Sequence, residues 1–346
     1  MKKLNVAVVG ATGLVGQVFI DLFIKRQFPV KTLRLLASEQ SAGRKVSFKG
    51  QKITIETLTE NSFHGFDFAF FSAGTAISEK FAPIAAEAGC TVIDNSNAFR
   101  MDDNVPLVVP EINFEAISVS HRIIANPNCS TIQMVAAINP LHQKARLKRV
   151  VVSTYQAVSG TGKDAVAELD MQSKTIFEKK EIKPEVYPHQ IAFNLIPQID
   201  TFLASGYTGE EMKMVNETRK ILQEPDLPVT ATCVRVPVRN AHSLSVNLEF
   251  HNALQTEEAV NILRATPGVV VMDEPGNNVY PTPAEISGKD EVYVGRIRKD
   301  PSVKYGLNVW IVADNLKKGA ALNAVQIAEK LLKRNEQRAK QSSSDY

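Results

Sequence analysis

The N-terminal part of the chain contains several short apolar runs and, between the first two of them, a segment with helical periodicity. The helix-like segment covers residues 14–25, and the strand-like runs occupy residues 6–9, 33–37, 66–71, 91–93 and 122–125. Apolar runs separated by helical segments are typical of βαβ units, whose strands lie parallel in one sheet. We therefore predict an α/β fold with an N-terminal Rossmann-type parallel sheet.

The pattern changes after residues 126–129. The predicted strands beyond this point are longer and partly alternating, and they cover residues 150–158, 229–238, 243–250, 291–298 and 307–312. Helical segments interrupt them at residues 163–177, 210–222 and 257–265. This mixture predicts a second domain of the α+β type.

The C-terminal segment 314–338 has apolar residues at helical spacing, and Asp314 or Asn315 suits the N-cap position. The polar end, residues 339–346, is expected to fray. We therefore expect a first domain over residues 1–127, completed by the helix 314–338, and a second domain over residues 128–313.

Composition and charge narrow the class of protein. The chain has 346 residues, of which 44% are hydrophobic and 22% charged, so it suits about two globular domains. The net charge is +3 and no basic run is interleaved with aromatic residues, which argues against nucleic acid as a partner. The first residues show no apolar h-region and no cleavage signal, so we expect no secretory leader, and the chain has no run of about 20 apolar residues and no cysteine framework. We expect a cytoplasmic protein without a membrane segment.

A glycine-rich loop follows the first predicted strand and precedes the first helix. Its residues are Gly10, Ala11, Thr12, Gly13, Leu14, Val15 and Gly16. Glycine permits a tight turn and a close approach of the backbone, and the N–H groups of the helix N-terminus favour a pyrophosphate. The spacing GxxGxxG also suits a purely structural turn. Because the surrounding pattern is βαβ, we expect a dinucleotide.

The end of the second predicted strand bears on which dinucleotide is bound. In NAD-binding proteins a carboxylate at this position bonds the ribose 2′-hydroxyl, whereas here the strand ends at Ala37 and Ser38 follows. Ser38, Ser41 and Arg44 suit a 2′-phosphate, although Glu39 favours the opposite choice. We predict NADP.

Cys129 is the candidate nucleophile. It immediately precedes a helix-like run, and a thiol at a helix N-terminus has its pKa lowered toward neutrality. The alternative is that Cys129 is a small buried apolar residue, which is our interpretation of Cys90 and Cys233. No CxxC spacing and no paired helical histidine is present, so we predict no metal site.

Seven ordered segments resemble the aspartate-semialdehyde dehydrogenase family. They are GATGLVG, SNAFRMDDNVPLVVPEIN, NPNCSTIQ, YQAVSGTG, EEMKM, RVPVRNAHS and DNLKKGAALNAVQIAE. The resemblance implies a second domain like that of glyceraldehyde-3-phosphate dehydrogenase. It also implies NADPH-dependent, reversible reductive dephosphorylation of L-4-aspartyl phosphate to L-aspartate 4-semialdehyde and phosphate through a Cys129 thioester, on the branch toward lysine, threonine and methionine. A homodimer is expected, and a homotetramer is left open.

The resemblance also implies roles for individual residues. It gives His242 as acid–base catalyst and Gln156 as the residue that orients the acyl group. It places Arg100 and Lys213 at the phosphate, Arg235 at the α-carboxylate and Glu210 at the amine. Asn128 joins the substrate-binding residues, and Ser159, Gly160 and Asn315 join the cofactor-binding residues.

Each of these residues has a plainer interpretation from sequence alone. Glu210 and Lys213 are three apart on a helix, as in a surface ion pair, and Asn315 suits a helix cap. Arg100 and Arg235 could face solvent. Two other functions also compete, namely another acyl-phosphate reductase such as N-acetylglutamyl-phosphate reductase, and a catalytically silent NADP-sensing module.

Overall fold

The computed structural model describes residues 3–344, which form two compact units. One unit contains the residues up to Pro127 together with those from Ala320 onward, and the other is Asn128–Gly319. The expected return to the first unit at Asp314 therefore occurs six residues later. The cause is that the Asp314 carboxylate accepts the Gly288 N–H (2.7 Å), which holds this stretch to the second unit.

The first unit contains a seven-stranded sheet in the order β3-β4-β2-β1-β5-β6-β7. Its strands are β1 (Leu4–Val9), β2 (Val30–Ala37), β3 (Lys45–Phe48), β4 (Gln51–Thr57), β5 (Phe68–Phe71), β6 (Thr91–Asp94) and β7 (Ile123–Ala125). Its helices are α1 (Leu14–Lys25), α2 (Thr75–Glu87) and α3 (Pro110–Asn113). All the pairs are parallel except β3–β4, at the edge of the sheet. The predicted Rossmann-type sheet is confirmed.

Both faces of the central part of this sheet are covered, which explains why strands such as β1 are apolar at consecutive positions. Val6 and Val8 of β1 pack with α1 in one core cluster, and Ala7 and Val9 pack with α2 in another. A parallel sheet buried on both faces requires this kind of run. The sequence prediction did not identify α2, β3 or β4.

The second unit contains a six-stranded mixed sheet in the order β11-β12-β13-β10-β8-β9. Its strands are β8 (Leu147–Gln156), β9 (Val229–Arg235), β10 (His242–Phe250), β11 (Val269–Val271), β12 (Val292–Lys299) and β13 (Gly306–Ala313). Its helices are α4 (Cys129–Ala145), α5 (Lys163–Phe177), α6 (Gly209–Leu222), α7 (Thr256–Ala265) and α8 (Pro283–Ile286). The predicted α+β character is confirmed, and only β11 and the short helix α8 were not anticipated.

The order of strands in the second sheet brings the ends of β8 and β9 and the start of β10 to the same end of the sheet. Gln156, the last residue of β8, lies opposite Arg235, the last residue of β9. On the other side of β8, Tyr155 pairs with Ser243, so His242 at the start of β10 lies at the same end of the sheet. Gln156, Arg235 and His242, which are far apart in sequence, therefore lie at the same end of the sheet.

The C-terminal helix α9 (Leu322–Ser344) belongs to the first unit and follows a π-helical turn, Lys317–Ala321. Arg26 fixes it to α1 by two bonds to Glu329, of 2.8 and 2.7 Å. The helix begins later than residue 314 and continues through the segment that we expected to fray, whereas Asp345 and Tyr346 lie outside the described residues. No helix in the described part of the chain is long and apolar enough to cross a membrane.

Candidate active site

A cavity of about 590 Å³ opens at the carboxyl ends of the first sheet. Its lining includes Gly10, Thr12, Gly13 and Ser38 of the predicted cofactor-binding residues. Its volume is in the range of small-molecule sites, and its position is where parallel α/β sheets bind ligands. The cavity therefore fits part of a dinucleotide.

Two glycines of the loop are required by close backbone contacts. A Cβ at Gly10, whose φ is +88°, would lie 2.2 Å from the Ser72 carbonyl oxygen, and a Cβ at Gly16 would lie 2.2 Å from the Gly10 carbonyl oxygen. Gly10 thus permits the turn, whereas Gly16 lets α1 approach the end of β1. Gly16 acts through packing, since it does not line the cavity.

The remaining predicted cofactor residues of this unit lie elsewhere. Leu14 and Val15 form the first turn of α1, and Val15 packs against the core. Ser41 and Arg44 do not line the cavity, whereas Glu39 does. The sequence prediction missed the walls that follow β4 and β5 and those on α2, which include Leu58, Ala73, Ile77 and Phe81. The rule that ligands bind at the carboxyl ends of parallel strands could have located the first two of these walls.

In the second unit, Cys129 is the first residue of α4. The Asn128 side-chain oxygen accepts the N–H groups of Ser130 (2.9 Å) and Thr131 (3.2 Å), as an N-cap does. Cys129 is partly exposed, whereas Cys90 and Cys233 are buried. Burial raises the pKa of the Cys90 thiol to about 11 and raises that of Cys233 further, so both are inert at neutral pH.

Glu210 connects three of the predicted substrate and catalytic residues. Its Oε1 accepts from Asn128 Nδ2 (2.7 Å) and from Gln156 Nε2 (3.1 Å), and its Oε2 accepts from Lys213 Nζ (3.3 Å). Glu210, Asn128 and Gln156 are all buried. Asn128, which immediately precedes Cys129, therefore shares one hydrogen-bonded network with Gln156 and Lys213.

Lys213 has a second carboxylate partner that the sequence prediction missed. Its Nζ donates to Asp200 Oδ2 at 2.7 Å. Burial by itself lowers the pKa of Lys213, but the Glu210 and Asp200 carboxylates outweigh it and hold the pKa above its ordinary value. Lys213 is therefore a cation held between two anions, and the pair with Glu210 is largely shielded from solvent rather than a surface pair.

The peptide of Ala157 joins Arg235 to His242. Arg235 Nη1 donates to the Ala157 carbonyl oxygen (2.7 Å), and the Ala157 N–H donates to His242 Nδ1 (2.9 Å). Both side chains are buried, and within the described residues Arg235 Nε and His242 Nε2 have no protein partner. Gly160 lies against them, since a Cβ there would be 3.0 Å from Arg235 Nη1 and 3.2 Å from His242 Cε1.

The hydrogen bond from Ala157 fixes the tautomer of His242. A backbone N–H can only donate, so Nδ1 carries no hydrogen and the neutral ring has its hydrogen on Nε2. Burial, together with the Arg235 charge, lowers the pKa of His242 well below its ordinary value, so the ring is neutral at pH 7 and becomes charged only on acidification. His242 Nε2 therefore offers an N–H donor in the neutral ring, whereas the acid–base role implied by the family resemblance requires a ring nitrogen that accepts a proton.

Ser159 and Asn315 support the backbone next to His242. The Ala241 N–H donates to Asn315 Oδ1 (2.9 Å), and Asn315 Nδ2 donates to Ser159 Oγ (2.9 Å). Ala241 has a φ of 71°, a strained value for a residue with a side chain. Asp314, rather than Asn315, accepts the N–H groups of Leu316 (2.9 Å) and Lys317 (3.1 Å) in the manner of a cap.

Arg100 belongs to the first unit and is buried there, not solvated. Its Nε donates to the Asn126 carbonyl oxygen (3.0 Å) and its Nη2 donates to that of Asn95 (2.8 Å). The guanidinium is thus held rigidly by two backbone carbonyl groups.

Comparison with known proteins identifies the family. The model of the semialdehyde dehydrogenase NAD-binding domain matches residues 5–120, and that of the semialdehyde dehydrogenase dimerisation domain matches residues 138–318. The aspartate-semialdehyde dehydrogenase of Bacillus subtilis (strain 168) is 53% identical over 96% of this chain and 99% of its own. The chain belongs to the aspartate-semialdehyde dehydrogenase family. The resemblance seen in the sequence is confirmed, and the protein is an oxidoreductase of amino-acid biosynthesis.

Solved structures of the aspartate-semialdehyde dehydrogenase family share the fold. Aspartate semialdehyde dehydrogenase II from Vibrio cholerae, complexed with ASA, aligns with a TM-score of 0.94 at 46% identity and covers 96% of this chain and 99% of its own. The Candida albicans enzyme with NADP aligns with a TM-score of 0.77 at 27% identity, over 96% of this chain and 99% of its own. The expected two-domain fold class is therefore confirmed.

Proposed function

We propose that the protein interconverts L-4-aspartyl phosphate and L-aspartate 4-semialdehyde with NADP, through a thioester on Cys129. The observation that carries this proposal is the buried network around the start of α4, in which Asn128 and Gln156 both donate to Glu210. The NADP complex of the Candida albicans relative and the ASA complex of the Vibrio cholerae relative support the choice of cofactor and substrate. The direct test is phosphate-dependent formation of NADPH from aspartate semialdehyde.

In the reductive direction the Cys129 thiolate attacks the acyl carbon of aspartyl phosphate. The bond from this carbon to the phosphate oxygen breaks, and a thioester remains on Cys129. NADPH supplies the hydride when it is bound. The carbon–sulfur bond then breaks, so that the aldehyde leaves and the thiolate forms again.

His242 stabilises the oxygen of the acyl group during these steps. Its Nε2–H has no protein partner among the described residues, and it is available to an oxygen on which negative charge develops. The Ala157 N–H keeps this tautomer. No net proton transfer to the oxygen is needed when the tetrahedral species collapses to the aldehyde, so a neutral donor is sufficient.

Different charged residues bind the different charged groups of the substrate. Arg235, whose Nε has no protein partner among residues 3–344, binds the α-carboxylate, and Glu210 binds the amine. Arg100 and Lys213 bind the phosphate. Asn128 and Gln156 orient the acyl group, and the rigid bonding of Arg100 to backbone carbonyl groups supports a preformed site.

The first unit would hold the cofactor in the cavity beside Gly10, Thr12, Gly13 and Ser38. The backbone N–H groups at the start of α1 would face the pyrophosphate. Ser159, Gly160 and Asn315 are proposed at the nicotinamide end. We infer a homodimer, because a dimerisation-domain model matches the second unit, and a cytoplasmic setting would keep the Cys129 thiol reduced.

We expect NADP to exceed NAD in catalytic efficiency by at least about tenfold, or about 1.4 kcal/mol. The reason is that β2 ends at Ala37 and the next residue, Ser38, lines the cavity with a hydroxyl rather than a carboxylate, although Glu39 also lines it. The measurement is kcat/KM with each cofactor, and Ser38→Asp should reverse the preference. Equal use of both cofactors by the unaltered protein would contradict the assignment.

Lysine substitutions at Arg100 and Arg235 should affect different substrates. Each keeps the charge and loses the planar fork, so Arg100→Lys should raise the apparent KM for phosphate, and Arg235→Lys should raise that for semialdehyde at every phosphate concentration. We expect increases of about tenfold. Arg239→Lys, at an exposed arginine paired with Asp170, is the matched control. If both variants change the KM values for phosphate and semialdehyde in the same way, the assignment of Arg100 to the phosphate and Arg235 to the α-carboxylate is wrong.

A further inference from the structure

Glu217 is a buried carboxyl group of α6 with no role in the chemistry proposed above. It is 1% exposed and follows Glu210 by seven residues, so both lie on the same face of the helix. Glu217 Oε2 accepts the backbone N–H of Asn128 at 2.6 Å. The two carboxyl groups therefore contact the same residue, which immediately precedes Cys129.

The Asn128 N–H requires such an acceptor. Asn128 is the N-cap of α4, so its own N–H lies outside the hydrogen bonds of the helix, and the residue is only 6% exposed. A buried backbone donor without a partner is destabilising, because it loses its hydrogen bond to water and gains none in return. Glu217 supplies this acceptor from 89 residues further along the sequence.

We propose that Glu217 is a positioning residue for the Cys129 nucleophile. Asn128 is held at three points, since Glu217 accepts its N–H, Glu210 accepts from its Nδ2, and its own Oδ1 caps the helix. The direction of the Cys129 side chain depends on the peptide that joins these two residues. A displacement of about 1 Å at a reacting group can cost about 10²-fold in rate.

This inference rests on the proposed function. It requires residue 217 to place an acceptor oxygen at the distance that Glu217 reaches, and it does not require a negative charge there. Glu217→Gln keeps an oxygen at the same reach without the charge. Glu217→Asp keeps the charge on a side chain one methylene shorter, and Glu217→Met fills a similar volume without an acceptor. A positioning role therefore ranks glutamine above both aspartate and methionine.

Glu211 supplies a matched control on the same helix. It is also buried, and it accepts the backbone N–H groups of Cys233 (3.0 Å) and Thr208 (2.7 Å) rather than that of Asn128. Glu211→Gln removes the charge from a buried carboxyl group without altering the contacts of Asn128. Its effect measures the cost that any such change in α6 has on turnover.

The experiment measures kcat and the KM values for phosphate and semialdehyde in full-length variants, with a thermal unfolding midpoint for each. We expect Glu217→Gln and Glu211→Gln to keep kcat within about threefold, and Glu217→Asp and Glu217→Met to lose about 10- to 100-fold, with KM values nearly unchanged. If one of the last two variants does not fold, the other still decides the comparison with glutamine.

The inference fails if aspartate retains more turnover than glutamine, if methionine retains wild-type kcat, or if KM values change as much as kcat. A variant with serine at position 129 separates this result from the proposed function. If Cys129→Ser stays active, the thioester is wrong. If it is inactive while the Glu217 variants are alike, only the positioning role fails.

Discussion

Cys129→Ser is expected to lose nearly all turnover, by at least about 10³-fold, because an alcohol is a far poorer nucleophile than a thiolate near neutral pH. Binding of NADP should be unchanged, since the proposed cofactor cavity is lined by residues of the first unit. The measurements are kcat for semialdehyde oxidation and the Kd for NADP.

Cys90→Ser is the matched control for this substitution. The Cys90 thiol is buried in the first unit and donates to the carbonyl oxygens of Phe63 and Phe66, bonds that a hydroxyl can also make. This variant should keep wild-type turnover. If Cys129→Ser also keeps it, the thioester mechanism must be abandoned.

His242→Ala should lower kcat by about 10²- to 10³-fold and change KM much less, as expected when a donor to a developing oxyanion is removed. His242→Gln should recover part of the loss, because its amide N–H can take the place of Nε2–H. An acid–base role predicts instead that glutamine is as inactive as alanine. The measurement is kcat and KM for all the variants.

His251→Ala is the control for this series, since His251 is exposed just beyond the other end of β10. It should leave kcat unchanged. Loss of substrate affinity alone in His242→Ala would mean that His242 is a binding residue, and the proposed role would then be incorrect.

Local signals in the sequence were sufficient for many of the elements. The helices predicted at residues 14–25 and 163–177 have the same bounds in α1 and α5. The apolar run after Cys129 predicted a helix there, and α4 does begin at Cys129, with Asn128 as the N-cap that the structure adds. These features depend on spacing, capping and turn residues within a few positions, which the sequence displays directly.

Elements with weaker local patterns were harder to predict. The final helix begins at Leu322 rather than near Asp314, because the side chain of Asp314 bonds Gly288 and because a π-helical turn intervenes. The edge strand β3 and its neighbour β4 were missed for a related reason, since strands that are largely exposed need few apolar residues.

The sequence by itself determined the two-domain α/β architecture, the glycine loop, the helix start at Cys129 and, through its motifs, the family. Only the tertiary structure decided which groups contact each other there. Glu210 accepts a hydrogen bond from Gln156, which is 54 residues away in sequence. The Ala157 N–H donates to His242, 85 residues away, and this bond sets the tautomer of the ring. Helix periodicity and capping are local properties, whereas the partner of a buried polar group depends on which elements pack together.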